Sequence, residues 1–426
     1  SADDMFTFSC ALGDADGDGD LDLLAACGEP YSNVLDAIRI YYNEGGILDT
    51  LPGWISQTQF AALDADFADM DRNGYLDVIV ASHHQPNAVF LADSAGQISE
   101  QPSWQSQDSD KYANSLTTAL VDNNPFLDLM VSDNSQLGGI GKFKAYFFAD
   151  SMLTDGLPAW MSYSGGYGSA VLAEDVNNDG ETDLLAGRWW GAVRLYSGTD
   201  TSFNEIPDWQ SNTSSVVEAF ALRDLDQDGL RTTLLDSTIS ADSLHLLYLP
   251  DQRLERIVEV RVNQQILQPG ADFTSVPAAN WISFRQPLLS GDQLQIHYLY
   301  SVDRDLVVTN WGPGEGNFIF YNQTNPVSIA DGELPLIRDF RVQVYPNPFN
   351  PSCRFQIDLK YGDHLLLQIF DLQGRLVKTV HKGNYRNTEL SWDGNRRNGL
   401  PAASGMYIYR AAAQGRQQSG KLLLLK

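Results

Sequence analysis

Cysteine is scarce in this chain. The 426 residues include only three cysteines, at positions 10, 27 and 353, which is too few for a disulfide scaffold. Cys10 and Cys27 lie symmetrically about an acidic turn, so one interpretation places them face to face across a hairpin. In the other, all three thiols are small buried hydrophobic groups without a covalent partner.

Long apolar runs and basic residues are scarce as well. No apolar run approaches the roughly 20 residues that a membrane span needs, and the first residues, SADDMFTFS, lack the regions of a signal peptide. We therefore expect a mature, soluble chain that does not insert directly into a membrane. Lys and Arg number 28 against 55 Asp and Glu, a formal charge of −27, which disfavours nucleic acid and anionic membrane surfaces as partners.

What the sequence has instead is a repeated acidic loop. DADGDGDLDLL begins at Asp14 and recurs as DMDRNGYLDVI from Asp69, DVNNDGETDLL from Asp175 and DLDQDGLRTTL from Asp224. Carboxylates at this density repel one another, so a compact loop needs a counter-charge that nearby residues do not carry. A bound cation is the obvious candidate.

The loops recur with a period that predicts the fold. Intact copies begin about 50 or about 100 residues apart; a damaged copy ends at Asp128, and a sixth copy near Asn310 keeps only its strand. A Trp marker keeps the same spacing, at Trp54, Trp104, Trp160 and Trp209 and again at Trp281. Each unit alternates apolar and aromatic strands with turns, which is typical of a four-stranded blade. We therefore predict an all-β, six- or seven-bladed β-propeller over residues 1–325, with extra β structure inserted at about 254–300.

The loop chemistry favours calcium. Asp14, Asp16 and Asp18 occupy positions one, three and five of the first loop, and Gly17 and Gly19 permit a tight wrap. Oxygen-only ligands suit a hard cation, and a flexible loop suits Ca²⁺ better than Mg²⁺. An EF-hand would require a glutamate at position twelve, where this chain has alanine.

Together, loop and period resemble FG-GAP and VCBS repeats, the calcium-binding blades of integrin-α-like propellers. The resemblance implies three intact ligand sets, with a backbone carbonyl at position seven: Asp14, Asp16, Asp18, Asp20 (carbonyl) and Asp22; Asp69, Asp71, Asn73, Tyr75 (carbonyl) and Asp77; Asp175, Asn177, Asp179, Glu181 (carbonyl) and Asp183. In the fourth loop Thr232 stands where the closing aspartate is expected, so we expect weak or absent binding there.

The last part of the chain has a different character. YPNPFNP, the DLQGRLV hairpin and WDGNRRNGLPAASGMYIY occur in this order over residues 342–426, after a linker at 326–341. Apolar alternation and Gly turns predict a small immunoglobulin-like β-sandwich. The three motifs resemble the C-terminal sorting domain of the bacterial type IX secretion system. The resemblance implies contact with that machinery and export to the cell surface or beyond.

Motifs of catalysis are absent from the sequence: it contains no HExxH, GxSxG, P-loop or zinc-spaced Cys and His. We therefore expect no enzyme, but a secreted, calcium-stabilised propeller that acts in adhesion or structure, with self-assembly or a surface glycan or protein ligand. The alternative is a carbohydrate-binding or polysaccharide-degrading protein that uses the propeller rim. Its pointers are His83, Trp189 and Trp190, although packing between blades is the favoured role of the two tryptophans.

A short sequence pattern also suggests a glycoprotein. Asp-Ser/Thr-apolar triplets, an O-glycosylation signal of some bacteria, begin at Asp49, Asp93, Asp150 and Asp242.

Overall fold

The computed structural model divides the chain into two compact units, Ser1–Val327 and Ser328–Lys426. It describes residues 5–109, 111–122, 124–136, 138–149, 155–241, 243–250, 253–312, 316–322, 341–358, 364–371, 375–384, 390–397, 399–413 and 416–425. The predicted linker at 326–341 lies outside the described residues except for Arg341. Within the described residues, no helix has the length and apolarity that a membrane crossing requires.

The first unit begins with two blades that share one strand. The long strand β4 pairs through its first half with β3 and through its second half with β5, so it ends one blade and opens the next. The two blades contain β1 (Thr7–Gly13), β2 (Asp22–Cys27), β3 (Asp36–Tyr41), β4 (Trp54–Ala68), β5 (Asp77–His83), β6 (Ala88–Phe90) and β7 (Trp104–Gln105).

The next two blades are separate antiparallel sheets. The third contains β8 (Ala113–Ala119), β9 (Asp128–Asp133), β10 (Phe143–Tyr146) and β11 (Trp160–Met161). The fourth contains β12 (Gly168–Glu174), β13 (Asp183–Arg188), β14 (Arg194–Tyr196) and β17 (Trp209–Gln210), with a small hairpin of β15 (Gly198–Thr199) and β16 (Ser202–Phe203).

The fifth blade is interrupted by a long inserted segment. After β18 (Val217–Arg223) the chain forms β19 (Leu230–Thr238), β20 (Leu244–Tyr248), β21 (Leu254–Val262), β22 (Gln265–Ile266), β23 (Phe273–Val276), a short 3₁₀ helix (Pro277–Ala279), β24 (Trp281–Leu288) and β25 (Gln293–Ser301). It then completes the blade with β26 (Asp305–Asn310) and β27 (Phe318–Phe320). The inserted strands form two sheets, β19-β25-β21-β22 and β20-β24-β23, around a shared apolar core.

This interruption corrects the predicted blade number and the predicted bounds of the insertion. The strand near Asn310, expected to be a sixth copy, is the second strand of the fifth blade and pairs with β18. The inserted strands begin at Leu230, directly after the fourth acidic loop, rather than at about 254. The described strands therefore form five blade-type sheets instead of six or seven.

The Trp marker connects successive blades. Trp54, Trp104, Trp160 and Trp209 each begin the last strand of a blade. Each indole packs edge-on against an aromatic ring of the third strand in the following blade, with centroid distances of 5.4 Å to Phe90, 5.4 Å to Tyr146, 5.5 Å to Tyr196 and 5.5 Å to Phe320. The marker thus supplies the apolar contact that short strands need in order to stack as blades. Trp281 lies in the inserted segment and does not belong to this series.

The positions of the cysteines decide between a facing Cys10–Cys27 pair and three buried thiols without covalent partners. Across the first hairpin Cys10 pairs with Ala25, whereas Cys27 pairs with Thr7, so the two thiols are not opposite each other. All three cysteines are free; Cys27 and Cys353 are buried, and Cys10 is exposed. The face-to-face arrangement is therefore wrong, and the description as buried hydrophobic groups holds for two of the three.

The second unit is a sandwich of two antiparallel sheets, as predicted. One sheet contains β28 (Arg341–Tyr345), β29 (Cys353–Asp358) and β32 (Leu390–Trp392); the other contains β30 (His364–Phe370), β31 (Leu376–Asn384), β33 (Gly405–Ala413) and β34 (Arg416–Leu424). The YPNPFNP motif contributes Phe349 to the core of the sandwich. This side chain is buried, and its ring centroid lies 5.4 Å from that of Trp392. Asn347 exchanges hydrogen bonds with the backbone of Lys421 and Leu423 in β34.

Candidate metal centres

Each intact acidic loop wraps around its own first aspartate. That side chain accepts a hydrogen bond from the amide five positions later: Asp14 from Gly19 (3.0 Å), Asp69 from Gly74 (3.0 Å), Asp175 from Gly180 (3.1 Å) and Asp224 from Gly229 (3.0 Å). This loop conformation requires a positive φ at position four. The residues there are Gly17, Arg72, Asn178 and Gln227. The four loops therefore share one conformation although their sequences differ.

The closing aspartate of each blade fastens the loop to the sheet. Its two oxygens accept one amide from the loop and one from the turn after the third strand. The pairs of donors are Ala15 and Asn43 for Asp22, Met70 and Ala92 for Asp77, Val121 and Phe148 for Asp128, and Val176 and Gly198 for Asp183. All of these distances lie between 2.7 and 3.1 Å. The damaged third copy retains this arrangement although Leu120 stands where the first aspartate is expected; Asp122 is still present in its loop.

Three groups of carboxylates can surround a cation. Asp14, Asp16 and Asp18 form the first, Asp69, Asp71 and Asp77 the second, and Asp224, Asp226 and Asp228 the third. Within each group, one oxygen per residue lies within 4.8 Å of the others. Two of these groups coincide with predicted ligand sets.

A hard cation fits these groups, because two of the three contain a buried carboxylate oxygen without a hydrogen-bond partner among the described residues. Oδ1 of Asp14 and Oδ1 of Asp224 are both buried and find no hydrogen bond among the described residues. An unpartnered buried carboxylate oxygen is costly unless a positive charge neutralises it. The residues present therefore match the oxygen-rich donor set that Ca²⁺ takes.

Burial dominates the titration of these carboxyls. It raises the pKa of Asp14 and Asp69 to about 6, that of Asp22 to about 7 and that of Asp77 to about 8. Neighbouring aspartates raise them further, and backbone amides oppose the shift. The ionised loops are thus unfavourable on their own, and a bound cation would reverse this effect.

The remaining predicted ligands of the first two loops are placed as follows. The buried side chain of Asp20 accepts the amide of Gly45 (2.8 Å) and pairs with Arg285 (3.0 Å). Tyr75 stacks near His245, with ring centroids 5.3 Å apart. Asn73 Oδ1 accepts the amide of Tyr75 (2.9 Å) within the loop. Coordination by these residues remains a prediction.

The third predicted set differs from the first two. Arg253 of the inserted segment donates to both Asp175 and Asn178. Asn177 and Asp179 hydrogen-bond each other, and the amide of Glu181 donates to Asp179 (2.9 Å). Here a guanidinium supplies the positive charge, and Asp175, Asp179 and Asp183 do not form a group like those above among the described residues.

In the fourth loop, the structure places a different residue at the closing position from the one expected. Thr232 lies in β19, where its hydroxyl is 2.7 Å from His297 Nε2. The closing aspartate is Asp305, at the start of β26, which accepts the amides of Leu225 (2.9 Å) and Asn322 (3.0 Å). Asp305 rather than Thr232 therefore holds the closing position, because the insertion moves the closing residue far along the chain without changing its position in the blade. The expected weak or absent binding at this loop stays a prediction. Sequence reasoning missed Asp305 because no fixed spacing could identify it.

Comparison with protein families matches both parts of the chain. Residues 14–80 and 175–231 match the FG-GAP-like repeat, and residues 343–425 match the secretion system C-terminal sorting domain. The chain carries FG-GAP-like repeats and a type IX sorting domain. Such a sorting domain directs export, so the protein is extracellular or at the bacterial cell surface.

Three solved structures resemble the chain at low sequence identity and low TM-score. PorZ of Porphyromonas gingivalis, described as an essential bacterial surface component of the type-IX secretion system, is 14% identical, with 95% of this chain and 44% of PorZ covered at a TM-score of 0.29. Dimeric latent PorU from the same organism is 14% identical, with 82% and 31% covered at 0.20. BBS1N in complex with ARL6DN is 10% identical, with 84% and 91% covered at 0.27. No curated protein matches the chain.

The residues of the predicted carbohydrate site, His83, Trp189 and Trp190, lie in two different blades. His83 is buried between His84 and Tyr112, and burial lowers its pKa to about 4. Trp190 is 60% exposed, which corrects the expectation that it packs between blades. Its ring meets Tyr167 at 5.4 Å and Trp189 at 6.1 Å, both edge-on.

The glycosylation triplets stay predictions. Residues 49–51 and 93–95 are exposed. Asp150 and Asp242 lie outside the described residues.

Proposed function

We propose that this protein is a non-catalytic, calcium-stabilised propeller that serves in adhesion or in the structure of the cell surface. The observation that carries the proposal is the unpartnered, buried Oδ1 of Asp14 inside a repeated acidic loop. Such a loop matches a hard cation better than a catalytic acid, because Asp14 Oδ2 and Asp22 Oδ2 already accept backbone amides and hold the two carboxylates in place. Millimolar calcium outside the cell is sufficient even for sites with a Kd of about 10⁻⁴ M.

The structural role follows from the two units. A propeller and a sandwich present two different surfaces, and contact between unlike surfaces of successive copies propagates into a layer or fibre. The sorting domain brings such copies to the cell surface, where their local concentration is high. Contact with the type IX machinery itself requires only the sorting domain.

Size-exclusion chromatography and negative-stain imaging of the full chain test the structural role. With calcium present we expect assemblies whose size grows with protein concentration, and chelation is expected to disperse them. Strict monomers at high concentration would contradict self-assembly and leave adhesion to a separate ligand as the role.

Trp190 supports a second candidate function, carbohydrate binding. An indole that is 60% exposed and braced by Tyr167 offers a platform for stacking a sugar ring. A glycan array with the Trp190→Ala variant tests this role, and Tyr345→Ala in the other unit is the control, because Tyr345 is also exposed. Loss of a glycan signal only in Trp190→Ala supports binding. Release of reducing sugars by the wild type would instead indicate an enzyme.

A further inference from the structure

Two arginines flank the turn that carries Trp190. Arg188 ends β13 and Arg194 begins β14, one on each side of this turn. Arg194 pairs with Ala186 across the hairpin, and Arg188 is two residues beyond Ala186, so both side chains extend from the same face. That face contributes Ala186 to the core shared with the third blade. The arginines therefore lie where the third and fourth blades meet.

Both guanidiniums contact the segment that connects these two blades. Arg188 Nη2 donates to the carbonyl of Gly165, and Arg194 Nη1 donates to Ser164 Oγ (2.7 Å). A Cβ at Gly166 would lie 1.5 Å from Arg188 Nη2. Glycine at this position therefore leaves the space that the guanidinium occupies.

The two positive charges have no carboxylate partner among the described residues. By contrast, Arg39, Arg253 and Arg304 each form an ion pair. Nε of Arg194 is buried and finds no hydrogen bond in the described part of the chain. Burial and the charge of Arg194 lower the pKa of Arg188. Two neighbouring guanidiniums without a counter-ion are unfavourable, and an anion from outside the chain would relieve both effects.

Exposed aromatic rings adjoin the two arginines. Tyr163 is 72% exposed and directly precedes Ser164, and Trp190 is 60% exposed. The ring of Trp190 packs edge-on against Tyr167, and the amide of Trp189 donates to the carbonyl of Tyr167 (2.8 Å). Trp190 has a φ of 52°, which is unusual for a bulky residue. The turn is thus fastened to the same segment that the arginines contact.

We propose that this surface binds an acidic carbohydrate, with Arg188 and Arg194 pairing with its anionic groups and Trp190 stacking on a sugar ring. A guanidinium presents a planar set of N–H donors that matches a carboxylate or an acidic ester, and an indole offers a flat apolar face to the ring. The sugar ring rests on the carbohydrate binding proposed above for Trp190. The negative charge of the ligand does not, because it follows from the arginines.

Calorimetric titration of the full chain with short oligogalacturonates tests the proposal. Short probes are used because the charge of −27 on the chain repels a long polyanion. The same oligosaccharides with their carboxylates reduced to alcohols are the neutral comparison, and a sulfated oligosaccharide is the second acidic probe. We expect the wild type to bind an acidic probe at least about tenfold more tightly than the neutral one, since hydrogen bonds to charged groups are the stronger ones.

Variants of the two arginines locate the binding. Arg188→Gln and Arg194→Gln are each expected to weaken binding of the acidic probe by about tenfold or more and to leave the neutral probe unchanged. Arg231→Gln is the matched control: it removes the same charge from an exposed position in β19 and is expected to bind like the wild type. If an arginine variant does not fold, the wild type still decides, because a preference for the acidic probe that survives chelation supports the proposal.

The other outcomes separate this site from the proposed functions. Equal binding of acidic and neutral probes, lost in Trp190→Ala, would overturn the acidic ligand and leave carbohydrate binding in place. Binding of an acidic probe that persists in both arginine variants and disappears with chelator would also overturn it, because calcium would then bridge the probe to carboxylates of the protein. If neither acidic probe binds, the site is refuted, while the glycan array decides on carbohydrate binding and the thermal effect of calcium decides on the propeller.

Discussion

At the scale of single residues, the closing aspartate is the most consistent feature of the propeller. It occurs once per blade, is almost fully buried in Asp22, Asp77, Asp128, Asp183 and Asp305, and fills both oxygens with backbone amides. Asp128 makes the same two contacts in a loop that lacks the first aspartate and retains Asp122, so we predict that the clamp does not depend on a metal. We therefore predict two separable functions for the aspartates of these loops, fastening the turn and binding an ion.

Replacing Asp128 tests the clamp apart from the metal. Asp128→Ala orphans the amides of Val121 and Phe148, and each unsatisfied buried amide costs about 1–3 kcal/mol. We expect the free energy of unfolding to fall by about 2–4 kcal/mol, equally with calcium and with chelator, in urea denaturation. The exposed Asp49→Ala is the control, expected within about 0.5 kcal/mol of the wild type. A variant with the wild-type urea midpoint would show that the clamp is dispensable.

Buried carboxyls also determine the pH dependence of the metal-free protein. Burial raises the pKa of Asp77 to about 8 and of Asp128 to about 7, above the value near 4 of an unfolded chain. The folded state then binds more protons between about pH 4 and 8, so stability falls as the pH rises through this window. Burial lowers the pKa of His83 to about 4, so this residue favours stability at higher pH instead. It is a single group against several carboxyls.

In chelator we therefore expect a lower Tm at pH 8 than at pH 5, and a smaller difference once calcium is added, since the ion binds the deprotonated loops. Calorimetric scans at both pH values measure this. A metal-free Tm that rises from pH 5 to pH 8 would contradict the assignment of burial as the dominant cause.

At the scale of elements, the sequence pattern predicts intact blades well and the interrupted one badly. The acidic loop and the Trp marker locate blades one, two and four because both signals are local and depend on spacing alone. In the fifth blade, strands β18 and β26 are adjacent in the sheet but separated by the inserted segment. A periodic pattern cannot pair them, so β26 is mistaken for a further blade and Thr232 for a defective ligand. Likewise, nothing local in the sequence indicates that Arg253 contacts the loop that begins at Asp175.

The position of Thr232 gives a direct test of this reassignment. Thr232→Ala removes only a contact with His297 on the inserted hairpin. We expect the rise in Tm on adding calcium to equal that of the wild type. Asp305→Ala, which opens the loop at Leu225 and Asn322, is expected to reduce that rise. The reverse pattern would restore Thr232 as the closing position.

At the scale of the whole molecule, we propose that bound cations balance the excess of acidic groups. The formal charge of −27 is concentrated in part in loops that the fold buries. An ion that binds the folded but not the unfolded chain stabilises it by RT ln(1 + [L]/Kd), about 2.7 kcal/mol per site at a hundredfold excess over Kd. We therefore expect calcium outside the cell to couple the stability of the propeller to its export.

The most direct test of this account is a thermal melt of the full chain with chelator, with millimolar calcium, and with calcium restored after chelation. We predict that chelation lowers the Tm by about 5 °C or more, that restored calcium reverses the change, and that Asp18→Ala removes part of it. An identical Tm in all three conditions would contradict the account, because the acidic loops would then be ordinary turns that need no ion.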